Sequence, residues 1–197
     1  MNTIVNFTDF KACGHESPTL LLMDLHHDVS GVDQPGAATL SCEPLVNCRA
    51  VLRHARACRM PVAFTRLVAA PANMLASPVY PRWIEGMEPS RWDMVFDRQQ
   101  PSCYASAEFR EIAEEIGGNY VIAGRFGEVS CLSTAIDAFH RDHRPIVLSD
   151  ALMCREYDDL SAAAMRRALS CIFSHYARTV RTQVWIHASS RRVEAVT

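Results

Sequence analysis

Asp24 closes the apolar run Thr19-Leu20-Leu21-Leu22-Met23 and is the first residue in the chain whose type and place could do chemistry. A carboxylate at the end of an apolar strand is costly to bury unless it is paired or has its pKa raised, and both conditions occur at active sites. A helix cap or a structural ion pair would account for it equally well. His26 and His27 follow at once. Adjacent side chains point to different sides, so the two make a poor chelating pair, and no distant second histidine completes a metal site. Surface or supporting roles are expected for them, with no metal and no cofactor. The most informative stretch is Ala123-Gly124-Arg125-Phe126-Gly127-Glu128-Val129-Ser130-Cys131. Here a strand breaks at glycine, turns, and feeds a helix whose first backbone N–H groups have no internal partner. With the positive end of the helix dipole, the amides of Gly127 to Ser130 make a ready anion or oxyanion site. The helix behind carries an apolar stripe of Val129, Leu132, Ile136 and Phe139 and a polar stripe of Ser130, Thr134, Asp137 and Arg141. Ser130 begins the polar stripe. Cys131 is turned about 100° away by the helical repeat.

The elements that must hold these residues follow from the hydrophobic pattern. Short continuous apolar runs at 19–24, 60–64 and 120–124 predict strands covered on both faces. Met94 to Phe96 and Pro145 to Ser149 add two more, and Val180 begins a last short one. Helical spacing runs from Glu43 to Cys58, from Ser106 to Ile116 before Gly117-Gly118, from Glu128 to Arg141 and from Ser161 to His175. A final turn of helix is expected near Gln183–His187. The proline-rich stretch from Val68 to Trp92 reads as a long irregular excursion, a pocket wall or a subunit contact. Strands alternating with helices predict an α/β fold of three layers, a mainly parallel six-stranded sheet with helices on both faces. Ligands of such sheets sit outside the carboxyl ends of the strands, which singles out Asp24, Thr65-Arg66, Gly124–Ser130 and Asp150.

Bulk properties exclude several functions. The 197 residues suit one domain, and 49% hydrophobic with 21% charged residues is ordinary globular composition. A formal charge of −2 with scattered Lys and Arg argues against a nucleic-acid groove or an anionic membrane surface as partner. No apolar run reaches the roughly 18 residues that span a bilayer, and Met1 to Lys11 has no signal-peptide layout. A cytoplasmic protein is expected. The eight cysteines form no C-x-x-C pair and no zinc-finger spacing, so they read as small buried hydrophobes with free thiols.

In order and spacing, a set of anchors resembles the isochorismatase-like hydrolases from about Thr19 to Val180. They are Leu-Leu-Met-Asp (21–24), Pro-Val-Ala-Phe-Thr-Arg (61–66), Arg98 with Ser102-Cys103-Tyr104, Ala-Gly (123–124), Thr-Ala-Ile-Asp-Ala-Phe (134–139) and Leu-Ser-Asp-Ala (148–151). The resemblance implies a single domain of that kind over 1–197. Cysteine hydrolases of the superfamily use an Asp–Lys–Cys triad. By the resemblance Asp24 takes the Asp position, Arg98 the Lys position and Ser130, not Cys131, the nucleophile position. Isochorismatases proper carry a small residue followed by Cys in the same turn, and there the Asp acts as general acid on an enol ether. This chain is similar to them in Ser130-Cys131-Leu132-Ser133-Thr134-Ala135-Ile136-Asp137-Ala138-Phe139-His140-Arg141-Asp142. It departs at Leu67, where that branch uses glutamine, and at Phe126, where it has tyrosine. Phe126, Gly127, Arg82 and Tyr104 are the implied substrate contacts. A non-proline cis peptide is implied at Arg125–Phe126.

Arginine cannot lose its proton in a protein, so Arg98 cannot relay one. It keeps the charge and offers a bidentate grip on a carboxylate. The expectation is therefore an enzyme that hydrolyses an isochorismate-like vinyl ether or related small anionic substrate. Asp24, its pKa raised by burial, would donate the proton. One alternative is amide hydrolysis with Cys131 or Ser130 as nucleophile; another is a non-catalytic subunit that binds a small acid. A homo-oligomer, dimer or higher, is expected, with the aromatic loop Tyr80–Trp92 covering the pocket or meeting a second subunit.

Overall fold

The strand that ends at Asp24 is buried along its whole length, and the alternation of its side chains explains why the sequence there is continuously apolar. In the computed structural model, which describes residues 17–27, 42–68 and 80–194, strand β1 spans Thr19–Met23. Leu20 and Leu22 face one core, which they share with Leu45, Cys48, Val51 and Leu52 of helix α1 (Glu43–Ala57). Leu21 and Met23 face a second core. That core is built with Phe109 of α2 (Ala107–Glu115), Ala135 and Ala138 of α3 (Leu132–Phe139) and Leu169 and Phe173 of α4 (Ala162–Phe173). Trp185 of α5 (Thr182–Glu194) joins the first core.

The remaining strands are β2 (Val62–Leu67), β3 (Met94–Arg98), β4 (Tyr120–Arg125), β5 (Ile146–Met153) and β6 (Arg178–Val180). They form one six-stranded sheet in the order β3-β2-β1-β4-β5-β6, and every pairing is parallel. The three-layer α/β fold is as the pattern predicts. From β1 the sheet grows outward in both directions, through β2 on one side and β4 on the other. The crevice where the connections diverge therefore lies at the carboxyl ends of β1 and β4. Asp24 leaves the first of these strands and the turn at Phe126 leaves the second.

Four elements differ from the sequence expectation: β6 ends at Val180 rather than beginning there, and three others depart further. β5 continues four residues beyond Ser149, because Leu152 and Met153 pair with Gly124 and Arg125 past a register shift in β4. The last helix is a full Thr182–Glu194 rather than one turn. The helix predicted from Glu128 opens as a π-helical turn over Gly127–Cys131, in which the amides of Val129, Ser130 and Cys131 all donate to the Phe126 carbonyl at 3.0, 2.8 and 3.3 Å. Of the expected amide cup, only Gly127 and Glu128 keep N–H groups that the turn itself does not use.

The seven described cysteines are free, but only Cys48, Cys103 and Cys131 are buried and Cys171 is exposed; Cys13 lies outside the described residues. Among the described residues no helix is long and apolar enough to cross a membrane.

Candidate functional site

Asp24 stands in left-handed backbone conformation, with φ at 53°. Asp tolerates this region better than most residues, yet the conformation costs energy and persists where surroundings fix it. Its own amide donates to the Thr65 carbonyl at 3.1 Å, and its carbonyl accepts from the His26 amide at 2.8 Å. The twist turns the carboxylate into the crevice between strand ends. Oδ1 accepts from the Leu67 amide at 3.1 Å and Oδ2 from Arg98 Nη2 at 2.5 Å. Both side chains are fully buried.

Arg98 is already engaged. Nη1 donates to the Gln100 carbonyl at 2.7 Å and Nη2 to Asp24, so the fork does not stand ready for a bidentate grip on substrate, contrary to the sequence expectation. Nε is buried without a hydrogen-bond partner. Burial opposes the charge of Arg98, but Asp24 and the neighbouring Cys103 thiol raise its pKa further. The same pairing corrects the expectation for Asp24. Burial works to raise its carboxyl, but His26, the Arg98 guanidinium and the Ser130 hydroxyl outweigh it and hold the carboxyl below its usual range. Asp24 is an anion in the resting site.

The turn after β4 is built by backbone conformation. Gly124 has φ at 143°, and a Cβ there would lie 2.2 Å from the Met23 carbonyl oxygen. Only glycine lets β4 approach β1 this closely. Phe126 then reverses the chain in left-handed conformation, with φ at 55°. The implied cis bond at Arg125–Phe126 is absent; among the described residues every peptide bond is trans, and the positive φ of Phe126 makes the turn instead.

Ser130 and Cys131 separate as the helical repeat requires. Ser130 is completely buried, and its hydroxyl meets no hydrogen-bond partner. Cys131 packs into the second core among Leu21, Met23 and Ala135, with its thiol 3.5 Å from the Arg125 carbonyl. Burial, with the nearby Asp24 charge, pushes that thiol well above its ordinary range. A buried thiol that resists ionisation is a poor nucleophile.

The substrate-contact candidates fare unequally. Phe126 is nearly buried between two guanidiniums, Arg125 at 4.8 Å and Arg155 at 4.9 Å from its ring centre. Gly127 sits where a Cβ would press on Cys154 and Leu152. Arg82 is exposed and serves through its carbonyl, which holds the His27 amide at 2.7 Å. Tyr104 does not join the site. Its hydroxyl is taken by Tyr120 at 2.9 Å and His143 at 2.7 Å, deep in the second core.

His26 was expected at the surface or in support, and it is buried. An antiparallel bridge to Trp83 closes over it, and the two rings meet edge to face at 6.3 Å. Its Nε2 stands 3.8 Å from Asp24 Oδ1. Thr65 is a further member, flagged in sequence only by its place at a strand end. Its hydroxyl is buried and unpartnered.

Among the described residues, the buried side-chain polar atoms without a hydrogen-bond partner are His26 Nε2, Thr65 Oγ1, Arg98 Nε, Glu128 Oε2 and Ser130 Oγ. Folded proteins rarely leave such atoms unpaired without a functional reason. Four of the five, on His26, Thr65, Arg98 and Ser130, surround Asp24, and Glu128 sits in the same turn against Arg155, so this crevice is the candidate site. No group of His, Cys, Asp and Glu among the described residues could hold a metal ion.

Comparison with known proteins agrees with this geometry. The Isochorismatase domain profile matches residues 18–182. Enterobactin synthase component B of Escherichia coli K12 is 27% identical over 112 residues, which is 56% of this chain and 38% of that protein. The matched region is thus about two fifths of the length of that curated relative. Among solved structures, an isochorismatase from Pseudomonas putida superposes with a TM-score of 0.70 at 18% identity, covering 93% of this chain and 99% of that one. A cysteine hydrolase from Pseudomonas syringae superposes with a TM-score of 0.73 at 19% identity, covering 91% and 94%. Likeness at this level of identity fixes the fold and leaves the chemistry to the residues in the crevice.

Proposed function

Because the chain belongs to the Isochorismatase domain family of hydrolases, we propose that it hydrolyses the vinyl ether of a small carboxylate by proton transfer from Asp24, without a covalent thiol intermediate. One observation carries this reading: Ser130 leaves a buried, unpartnered hydroxyl at the turn, whereas the thiol of Cys131 packs in the second core against the Arg125 carbonyl. A proton delivered to the vinyl carbon leaves an oxocarbenium ion, water adds to it, and the hemiketal collapses to a ketone and an alcohol. Asp24 beside the β1–β4 crevice is the acid. Arg98 stabilises its anion after transfer and fixes its orientation. The Gly127 and Glu128 amides would hold a substrate oxygen. The guanidinium of Arg125, 4.8 Å from the Phe126 ring centre, would supply positive potential for an anionic substrate, while Arg155 is paired with Glu128 at 3.3 Å. A substrate carboxylate brought beside Asp24 adds a like charge, which raises the Asp24 carboxyl toward the protonated form.

A second reading rests on the resting charge of Asp24. A carboxylate anion beside the Ser130 hydroxyl is the arrangement of a base with a hydroxyl nucleophile, which would attack an amide or related bond. The two readings part in one experiment. Isochorismate and a panel of small amides are offered to the wild type and to Asp24→Asn, Ser130→Ala and Cys131→Ala, with intact mass recorded during turnover. Vinyl ether hydrolysis lost only in Asp24→Asn supports the acid. Amide turnover lost in Ser130→Ala, with an acyl adduct on the wild type, supports the serine. Loss in Cys131→Ala returns the thiol, and no turnover at all leaves a small-acid-binding subunit. We also propose self-association through the exposed rings of Tyr80 and Trp92 at the rim of the loop.

A further inference from the structure

Acid catalysis at Asp24 needs a proton that the resting carboxylate does not carry, and most of its neighbours cannot supply one. Arg98 does not release its proton, the Ser130 hydroxyl is far too weak an acid, and the Cys131 thiol faces the core. His26 remains. Its Nδ1 lies 2.9 Å from the His27 carbonyl oxygen, an acceptor only, so Nδ1 carries a hydrogen. That fixes the tautomer. A neutral His26 would then aim the lone pair of Nε2 at Asp24 Oδ1, which is itself an acceptor, across 3.8 Å. A proton on Nε2 would turn this clash of lone pairs into a donor facing an acceptor, and Nε2 is otherwise buried without a hydrogen-bond partner.

The ring is held in place for this purpose. The bridge to Trp83 fixes its backbone, the His27 amide is bound to Arg82 and the Ile84 amide to Leu25. The charges that face it are few. Asp24 lies at the end of β1, and Arg98 of β3 stands behind that carboxylate. Arg125 of β4 donates to the His26 carbonyl at 2.6 Å, and Arg66 of β2 stacks on Trp83 at 5.2 Å. Among these groups Asp24 is the anion that faces Nε2, and the guanidiniums carry the opposite sign.

We propose that the proton used in catalysis rests on Nε2 of His26 and reaches the substrate through the Asp24 carboxylate. This deepens the vinyl ether reading and rests on it. The 3.8 Å gap is too long for a direct hydrogen bond, and a single water oxygen about 2.8 Å from each atom would bridge it. The N–H bond of His26 breaks as Asp24 gains the proton, and Asp24 passes it to the vinyl carbon. Water then adds to the oxocarbenium carbon and gives its proton to Asp24, which returns it to Nε2. Collapse of the hemiketal moves the new hydroxyl proton to the departing ether oxygen. One water is consumed, and His26 and Asp24 end as they began. His26 is a relay that acts through Asp24, and only Asp24 touches the reacting carbon.

Two measurements test this. First, kcat and KM on isochorismate are followed from about pH 5 to about pH 9 for the wild type and His26→Gln, the latter with and without imidazole. The wild-type rate should fall about tenfold per pH unit above the His26 titration. His26→Gln should lose about a hundredfold in kcat with KM little changed, lose that pH limb, and regain about tenfold with imidazole. A kcat within about threefold of wild type, or a loss that keeps the limb and ignores imidazole, overturns the relay. Second, nitrogen NMR of labelled histidine follows Nε2 in the substrate-free protein, wild type against Asp24→Asn. The protonated form should persist to higher pH in the wild type than in Asp24→Asn. An unprotonated Nε2 at about pH 5, or no difference between the two proteins, overturns it even if His26→Gln fails to fold. Should isochorismate not be turned over, the vinyl ether reading falls, and the NMR result alone decides where the proton rests.

Discussion

Replacing Arg98 by methionine removes the charge that Asp24 faces while keeping most of the side-chain volume. Both partners are fully buried, so solvent cannot compensate for the loss. Breaking a buried pair by removing one member costs about 3–5 kcal/mol, because the remaining charge is left unpaired. The Gln100 carbonyl also loses its donor. For a chain of this length each kcal/mol lowers the Tm by about 2–4 °C, so the expected drop at neutral pH is about 6–20 °C. The pH dependence is the sharper test. In the wild type the Asp24 carboxyl is held below 3.8, its ordinary value, so its stabilisation is present above that pH and is lost as pH falls through the lowered value. In Arg98→Met the burial that raises this carboxyl is opposed only by His26 and Ser130. The variant then gains from protonation, and its deficit should shrink as pH falls from about 7 toward about 4.5. Urea melts at several pH values measure this directly. A deficit under about 1 kcal/mol, or one that is the same at both pH values, would refute the buried ion pair. In the double variant Asp24→Asn/Arg98→Met much of the loss should be recovered, since neither charge is then stranded.

Cys131→Ala should keep the hydrolytic rate and cost about 1 kcal/mol, read from the denaturant midpoint and steady-state kinetics, because the thiol packs in the core. In the folded protein at neutral pH, iodoacetamide should leave Cys131 unmodified, as mass spectrometry of the peptides would record. Gly124→Ala should destabilise by about 3 kcal/mol, since its Cβ would meet the Met23 carbonyl oxygen at 2.2 Å and force β4 from β1. Thermal melts would register it, and a neutral outcome would contradict the strand approach described.

The fold was legible because its signals are local and periodic. Apolar runs doubled by helical spacing on either side imply a parallel sheet, and most of the predicted helices and strands needed only small shifts of their ends. The extension of β5 through Met153 was hidden because Ser149 and Asp150 look like a strand end. They stay in the strand because β4 shifts register beside them, a relation between distant segments. Asp24 and the turn were visible for a similar reason, as polar residues interrupting apolar runs. Arg98 was reached through resemblance alone. The place of His26 was left open between surface and support, and Tyr104 was set in the pocket, because a single sequence shows a side chain's type and not what closes over it. Trp83 buries His26, and Tyr120 with His143 draws Tyr104 inward.

Arginine at position 98 changes what the site can ask of its other members. A lysine there could lose its proton when desolvated and share in transfer. A guanidinium that holds Asp24 and the Gln100 carbonyl at once is a fixed charge, and it keeps the carboxylate ionised until something else brings a proton. The rest of the crevice fits that demand. The twist of Asp24 leads the chain directly to a histidine whose outer nitrogen is tied to a carbonyl and whose inner nitrogen faces the carboxylate. A site built for thiolate attack would instead place the sulfur of residue 131 in the crevice beside a group able to receive its proton. That sulfur lies in the core, so transfer of a proton, more than formation of a covalent bond, is the chemistry this arrangement favours.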